Sequence, residues 1–305
     1  MAEEAYNQMV DVVVVGGGAA GLNAALVLAR ARRKVTVIDA GEPRNAPAAH
    51  MHGFLSRDGM PPAELLAVGR AEVTGYGGEI LSGRVAKVAP GFTVTLDDGR
   101  EVQARRVLVA TGLWDELPET PGVRERWGAD VVHCPYCHGY EVRDQAIGVL
   151  GNPAAMPGGS VHQALLVRQW SADVVLFANG VDISGDERRK LDARGVRVVP
   201  GSVGRLVSGA AGLEAVELVD GTRVARTAVF VAPRFVADDR ILRDLGCDPV
   251  NGWVPVDPTG RTAVPGVWAA GNVVDPKLSV IGAAGAGAMA AFALNFDLVE
   301  EDIPL

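Results

Sequence analysis

Unbroken apolar runs, each closed by a glycine turn, set the plan of this chain. Asp11-Val12-Val13-Val14-Val15 is β-branched with no polar interruption, the pattern of a parallel strand buried on both faces. It passes directly into Gly16-Gly17-Gly18-Ala19-Ala20-Gly21. Leu22 to Arg32 then reads as a helix, and Lys34 to Ile38 as a second strand that ends in Asp39. The stretch 44–62 breaks this pattern. It is polar, rich in Pro and Gly, and carries His50, His52 and Arg57, which predicts a long loop over a site. Pro61-Pro62-Ala63-Glu64 opens a helix with its prolines where they are tolerated. From Ile80 short strands follow, with Asp97-Asp98-Gly99-Arg100 as a hairpin turn. Arg106 to Gly112 is another buried strand, closing on Thr111-Gly112.

The second half repeats that order. Composition shifts near Pro118 to Gly122, a candidate domain junction, and a strand at 146–151, a helix at 160–170 and a strand at 172–177 follow. Asp220-Gly221-Thr222 marks one more hairpin turn, and Val229 to Pro233 closes the strand-rich segment 197–230. Gly266 to Asp275 is a further strand and glycine turn. The Gly/Ala-rich run from Val280 to Leu294 is too short to span a bilayer, which predicts a closely packed buried helix.

Composition narrows the function classes. A chain of 305 residues with 38 glycines and 48% hydrophobic residues suits two turn-rich α/β domains. The net charge of -8, with no run of Lys or Arg, argues against a nucleic-acid or anionic-membrane partner. Met1-Ala2-Glu3-Glu4-Ala5 is acidic and lacks a basic n-region, so a cytosolic location is expected.

Chemistry concentrates in a few motifs. Cys134-Pro135-Tyr136-Cys137-His138 carries two of the three cysteines at the spacing of a redox dithiol; both sulfurs fit on one helical turn and can close a disulfide. A zinc site is the alternative, but His133 and His138 stand too close in sequence to complete a tetrahedron, and no metal site is expected. Gly16 to Gly21 fits G-x-G-x-x-G between a strand and a helix, and Asp39 lies 18 residues beyond Gly21, where an acid accepts hydrogen bonds from an adenosine ribose. The equivalent turn at 151–159 does not fit, and Pro153 and Pro157 remove amides that a phosphate would use. His50 and His52 read equally as turn caps and as ligand contacts. Cys247 reads as an inert packing thiol.

Taken together, Gly16 to Gly21 with Asp39, Ala110-Thr111-Gly112, the C-P-Y-C pair, and Gly266 to Asp275 followed by Gly285-Ala286-Gly287 resemble the low-molecular-weight thioredoxin reductase family over nearly the whole chain. The resemblance implies an α/β fold of two Rossmann-like nucleotide-binding domains of the three-layer ββα type, the second inserted into the first. An FAD-binding domain would cover residues 1–118 and 250–305. An inserted NAD(P)H-type domain at 119–249 would carry the redox pair and be degenerate for nucleotide binding. FAD contacts are implied at Gly16, Gly18, Ala19, Ala20, Gly21, Asp39, Ala40, Asn45, Thr111, Gly112, Gly271, Asn272 and Ile281, and so is a homodimer. Cys137 would face the flavin, Cys134 would meet the substrate, and His138 would handle the proton where reductases usually have an acid. Asn272 replaces a usual Asp, and its amide can still bond hydroxyls.

Reductases of this family that use NADPH carry a His-Arg-Arg type cluster after the second domain's next strand. Here 177–182 reads Phe-Ala-Asn-Gly-Val-Asp, without the donors that hold a 2'-phosphate. The sequence is closer to the flavoprotein dithiol oxidases of gliotoxin and holomycin type. Those would close a disulfide in a small-molecule dithiol with O2 as acceptor and hydrogen peroxide as product. An NADPH-dependent reductase of a thioredoxin-like protein, a ferredoxin-dependent reductase and a flavin-bearing redox sensor stay open as alternatives.

Overall fold

The computed structural model describes residues 9–304; the acidic Met1–Ala5 segment lies outside them. The described residues divide into two compact units, one formed by residues 9–46, 53–114 and 236–304, the other by 47–52 and 115–235. The chain crosses between them along Leu113–Glu116 and Arg234–Ala237.

In the first unit, β1 (Val10–Val15), α1 (Ala19–Arg30), β2 (Val35–Asp39), α2 (Pro62–Gly75) and β3 (Glu79–Ser82) form parallel β-α units. A meander follows through β4 (Val85–Ala89), β5 (Thr93–Leu96) and β6 (Glu101–Val109). Strands β3, β2, β1 and β6 lie side by side in parallel, and the strand Val267–Ala269 adds to the free edge of β6. The first half of β6 instead pairs antiparallel with β5. Val12 to Val14 are wholly buried because both faces of this sheet are covered. Val12 and Val14 face α1 and the C-terminal helix, whereas Val13 and Val15 face the meander and the segment around Ile241 and Leu242. An uninterrupted Val run is what two covered faces require.

The second unit is built on five parallel strands in the order 197–199, 174–177, 147–150, 228–231, 131–132, with a three-stranded antiparallel sheet beside them. The helix Gly159–Val167 connects 147–150 to 174–177 and buries Val161, Ala164 and Val167 against them. This is the strand-helix-strand order of the first unit used again.

Several sequence-based boundaries move, and residues 47–52 and 115–118, expected in the FAD-binding domain, fall in the second unit. Residues 236–249, expected in the inserted domain, belong to the first unit because Ile241, Leu242 and Cys247 bury there beneath the β4–β6 meander. The C-terminal helix does not stop at Leu294 but runs Val280–Glu301, 22 residues, long and apolar enough by length and composition to cross a membrane. One side of it is nevertheless core: Ala290, Ala291, Leu294 and Leu298 are completely buried against α1. A Cβ at Gly287 would come within 2.0 Å of the Ala20 carbonyl oxygen, so backbones meet where only glycine fits. Its last turns are tied down by charge. Arg106 donates to Asp297 at 2.7 Å and to Glu301, and Arg105 donates to Asp11, Glu301 and Asp302 at 2.6–2.9 Å.

Candidate active site

The first unit gathers the expected cofactor residues at the carboxyl ends of its parallel strands, where open α/β sheets bind ligands. Gly16, at φ 105°, turns the chain out of β1 so tightly that a Cβ would lie 2.5 Å from the Ala110 carbonyl oxygen. Gly21 sits over that turn, a Cβ there falling 1.9 Å from the Gly16 oxygen. Gly271 closes the group, since a Cβ on it would come 2.9 Å from that of Ala20. Gly18 is different: it caps α1 at an ordinary φ of -79°, and a Cβ there would meet nothing within 4 Å. The first turn of α1 thus presents amides that no helix can satisfy internally toward an open face, the arrangement that receives a pyrophosphate.

Asp39 ends β2 beside this turn. Its Oδ1 accepts the Gly17 amide at 3.0 Å, and Oδ2 pairs with Arg70 from α2. Arg70 gave no sequence signal; it is found only because α2, packed against α1 and β3, brings it to Asp39. Thr111 donates from Oγ1 to the Asp238 carbonyl at 2.6 Å, and the Asp238 amide returns to the Gly112 carbonyl at 3.0 Å, fixing that turn. Burial pushes the Asp238 carboxyl above its ordinary range, opposed by Arg84 and Arg240. Asn272 spends both amide hydrogens on the carbonyls of Asp275 and Leu278, at 2.9 and 3.1 Å. An aspartate has no hydrogens to give those carbonyls, so the amide organises the loop and leaves its Oδ1 as an acceptor for hydroxyls. Ala40 is exposed, Asn45 is half-buried on the loop after β2, and Ile281 is exposed on the first turn of the C-terminal helix. The glycine cradle, the open face at Gly18 and the acid at the end of β2 fit the adenosine diphosphate half of FAD.

The second unit holds the sulfurs. Cys134 caps the single-turn helix Pro135–His138, and its sulfur is joined to that of Cys137 in a disulfide. The Cys137 and His138 amides both return to the Cys134 carbonyl at 3.1 Å. Both cysteines are half-buried, and Tyr136 between them is exposed, its ring edge-on to Trp170. Trp170 in turn lies against Gly139, where a Cβ would come 2.8 Å from the indole. Gln163 donates to the His133 carbonyl at 2.7 Å and so braces the residue before Cys134. Nδ1 of His138 is buried without a hydrogen-bond partner. Burial holds this imidazole below its ordinary pKa, with Glu141 and the Cys134 carbonyl opposing the shift and His52 adding to it. At neutral pH that is an uncharged base beside a disulfide. Among the described residues no group of three or more His, Cys, Asp or Glu is arranged to hold a metal. Cys247 is buried in the first unit and its thiol is pushed up by burial.

The glycine turn of the second unit is closed on itself. The Asn152 amide donates to Ser160 Oγ, the Ala154 amide to Asn152 Oδ1, the Ala155 amide to the Asn152 carbonyl and the Gly159 amide to the Met156 carbonyl, at 2.8–3.2 Å. Pro153 and Pro157 have no amide to offer. Asn179, where a phosphate-binding cation would stand, donates to the Gly151 carbonyl and accepts the Val203 amide, both at 2.9 Å.

Residues 10–290 match the family model of pyridine nucleotide-disulphide oxidoreductases. The chain is 31% identical to the thioredoxin reductase sirT of Leptosphaeria maculans over 96% of its own length and 95% of that protein's. Its fold is similar to the crystal structure of HlmI, with 58% identity, a TM-score of 0.92 and coverage of 96% and 94% of the two chains. It is also similar to the putative thioredoxin reductase TrxB of Bacillus anthracis, at 33% identity, a TM-score of 0.90 and coverage of 96% and 100%.

Proposed function

The chain belongs to the pyridine nucleotide-disulphide oxidoreductase family as a thioredoxin reductase-like FAD oxidoreductase, and from that premise we propose that it works as a dithiol oxidase. It closes a disulfide in a small-molecule dithiol, with O2 as the final acceptor. The observation that carries the direction of flow is the turn at 151–159: the amides of Asn152, Ala154, Ala155 and Gly159 are spent within it, Pro153 and Pro157 have none, and Asn179 knits the place where a 2'-phosphate would need positive charge. An NADPH-dependent reductase must bind its nucleotide there; an oxidase fed by its own substrate need not.

The residues perform the exchange in two displacements. A substrate thiolate attacks Cys134 Sγ, forming a mixed disulfide and releasing Cys137 as a thiolate. The second substrate thiolate then attacks the substrate sulfur of that mixed disulfide and releases Cys134. The substrate loses two electrons and two protons, and the protein's disulfide becomes a dithiol. His138 takes up a proton from the incoming thiol, a base matched to the task because it is neutral at working pH. FAD, bound by the Gly16–Gly21 cradle with Asp39, supplies the chemistry that carries the electron pair from the dithiol to O2.

Holoprotein mixed with a small dithiol in air, without nicotinamide, is expected to yield disulfide and peroxide together. Calorimetric titration with NADPH is expected to give no saturable heat. Absent turnover combined with rapid bleaching of the flavin by NADPH overturns the reading in favour of a thioredoxin-type reductase.

A homodimer is part of the same reading. Along the C-terminal helix Ile281, Met289, Phe292, Phe296 and Val299 are exposed at helical spacing, an apolar stripe that a second copy of the chain would cover. Phe292→Asp with Phe296→Asp is expected to convert a dimer into a monomer in sedimentation; a wild type that already sediments as a monomer sinks this part.

A further inference from the structure

Arg70 reaches the cofactor acid from another helix, and the glycine turn alone does not account for it. On α2, Leu66 and Val73 bury in the core shared with α1, and between them Gly69 lets the two helices lie close, a Cβ there falling 3.2 Å from Leu22 Cδ1. Arg70 follows directly, half-buried, and its Nη2 bonds to Asp39 Oδ2. The Gly17 amide donates to the other carboxyl oxygen, Oδ1, at 3.0 Å. The same carboxyl lies against Gly17, where a Cβ would stand 2.6 Å from Asp39 Cγ. Anchored through one oxygen only, a carboxylate still turns about its Cβ–Cγ bond, which has no sharp rotamer; anchored through both, it is fixed.

Resting on the placement of the adenosine end of FAD at this cradle, we propose that Arg70 is a positioning residue for the cofactor: it locks the Asp39 carboxylate in the orientation that accepts both hydroxyls of the adenosine ribose, one on each oxygen. The acceptor count supports this. A carboxylate offers roughly four lone-pair positions, two on each oxygen. The Gly17 amide takes one on Oδ1 and Arg70 takes one on Oδ2, which leaves one on each oxygen, side by side. That remaining pair is the complement of a vicinal diol, and an acid ending the second strand is where such folds hold the ribose. Fold stability does not account for the pair. The Arg70 side chain is 36% exposed, and ion pairs this open to water contribute little to stability.

The test is a titration of the flavin-stripped full-length chain, followed by quenching of flavin fluorescence, with FAD and with an FAD analogue that lacks the adenosine 2'-hydroxyl. Wild type is expected to prefer FAD over the analogue by about tenfold or more, the effect of one hydrogen bond to a carboxylate. In Arg70→Met the affinity for FAD is expected to fall about tenfold, and the preference over the analogue to shrink to roughly threefold or less, because a carboxylate free to turn no longer holds two acceptors in register. Melting of the apoprotein should stay close to wild type. Arg70→Lys restores a donor without the planar fork, so it is expected to recover part of both the affinity and the preference. An Arg70→Met protein that binds FAD as tightly as wild type overturns the proposal, and so does one that binds both ligands more weakly with the preference intact, since that is a general loosening of the site. Failure of the cradle itself reads differently: a wild type that binds FAD and the analogue equally removes the ribose from Asp39, and the role of Arg70 falls with it.

Discussion

Replacing Cys137 by serine is expected to lower dithiol turnover by about a thousandfold or more, the scale on which covalent catalysts fail when the nucleophile or its partner is removed. The reason lies in the exchange itself. Serine at 137 leaves Cys134 without its disulfide, so there is no oxidised sulfur for the substrate to attack. The remaining Cys134 thiol can still join a substrate that is offered as a disulfide, and nothing then resolves the adduct from within. Intact mass of Cys137→Ser after incubation with the oxidised substrate should therefore reveal one substrate bound through Cys134. An adduct that forms on Cys134→Ser and not on Cys137→Ser would reverse the two roles. Cys247→Ala supplies the control: that thiol is buried in the other unit, with burial raising its pKa, and it is expected to leave the rate unchanged.

Much of this site is legible in the sequence because it is written in short-range rules. A Val run covered on both faces, a glycine turn before a helix and an acid ending the next strand are each dictated by backbone geometry within a few residues, and Val12, Gly16, Gly21 and Asp39 stand where those rules put them. The dithiol is legible for the same reason, since its spacing alone puts Cys137 on the turn Pro135–His138 with Cys134 at its cap.

What the sequence conceals is tertiary. The 236–249 segment has no composition that assigns it to one unit; only the burial of Ile241 and Leu242 beneath the meander does so. The C-terminal helix passes the Leu294 limit because Asp297, Glu301 and Asp302 find arginines on β6 and, in Arg33, just beyond the end of α1, which turns apparently solvated charges into anchors. Arg70 on Asp39 and His52 near Glu141 are pairings over long sequence separations, invisible to any local pattern. The closed turn at 151–159 is intermediate. Its prolines are readable as missing donors, whereas the capture of the Asn152, Ala154 and Ala155 amides by Ser160 and Asn152 requires the folded chain.

The cofactor cradle makes the second large prediction, and a pair of glycines separates fold from ligand. At Gly21 any Cβ would lie 1.9 Å from the Gly16 carbonyl oxygen and 3.2 Å from Val14. Gly21→Val must therefore push α1 off the turn at a cost of roughly 3 kcal/mol, the upper end of ordinary overpacking. FAD binding that has to restore the undistorted turn carries that same cost, which at about 1.4 kcal/mol per decade weakens the ligand about a hundredfold. The protein is expected to purify without flavin colour and to melt at lower temperature. Gly18→Ala tests the ligand alone. Its backbone is already in an ordinary conformation and its methyl would meet no protein atom within 4 Å, so melting of the apoprotein should match wild type. The methyl nevertheless projects into the space that the second glycine of such a turn keeps clear for a pyrophosphate. FAD affinity measured by flavin fluorescence quenching is expected to fall about tenfold or more, the effect of losing one close backbone approach of roughly 1.4 kcal/mol. A Gly18→Ala protein that binds FAD as tightly as wild type would remove the pyrophosphate from this turn, whatever Gly21→Val does.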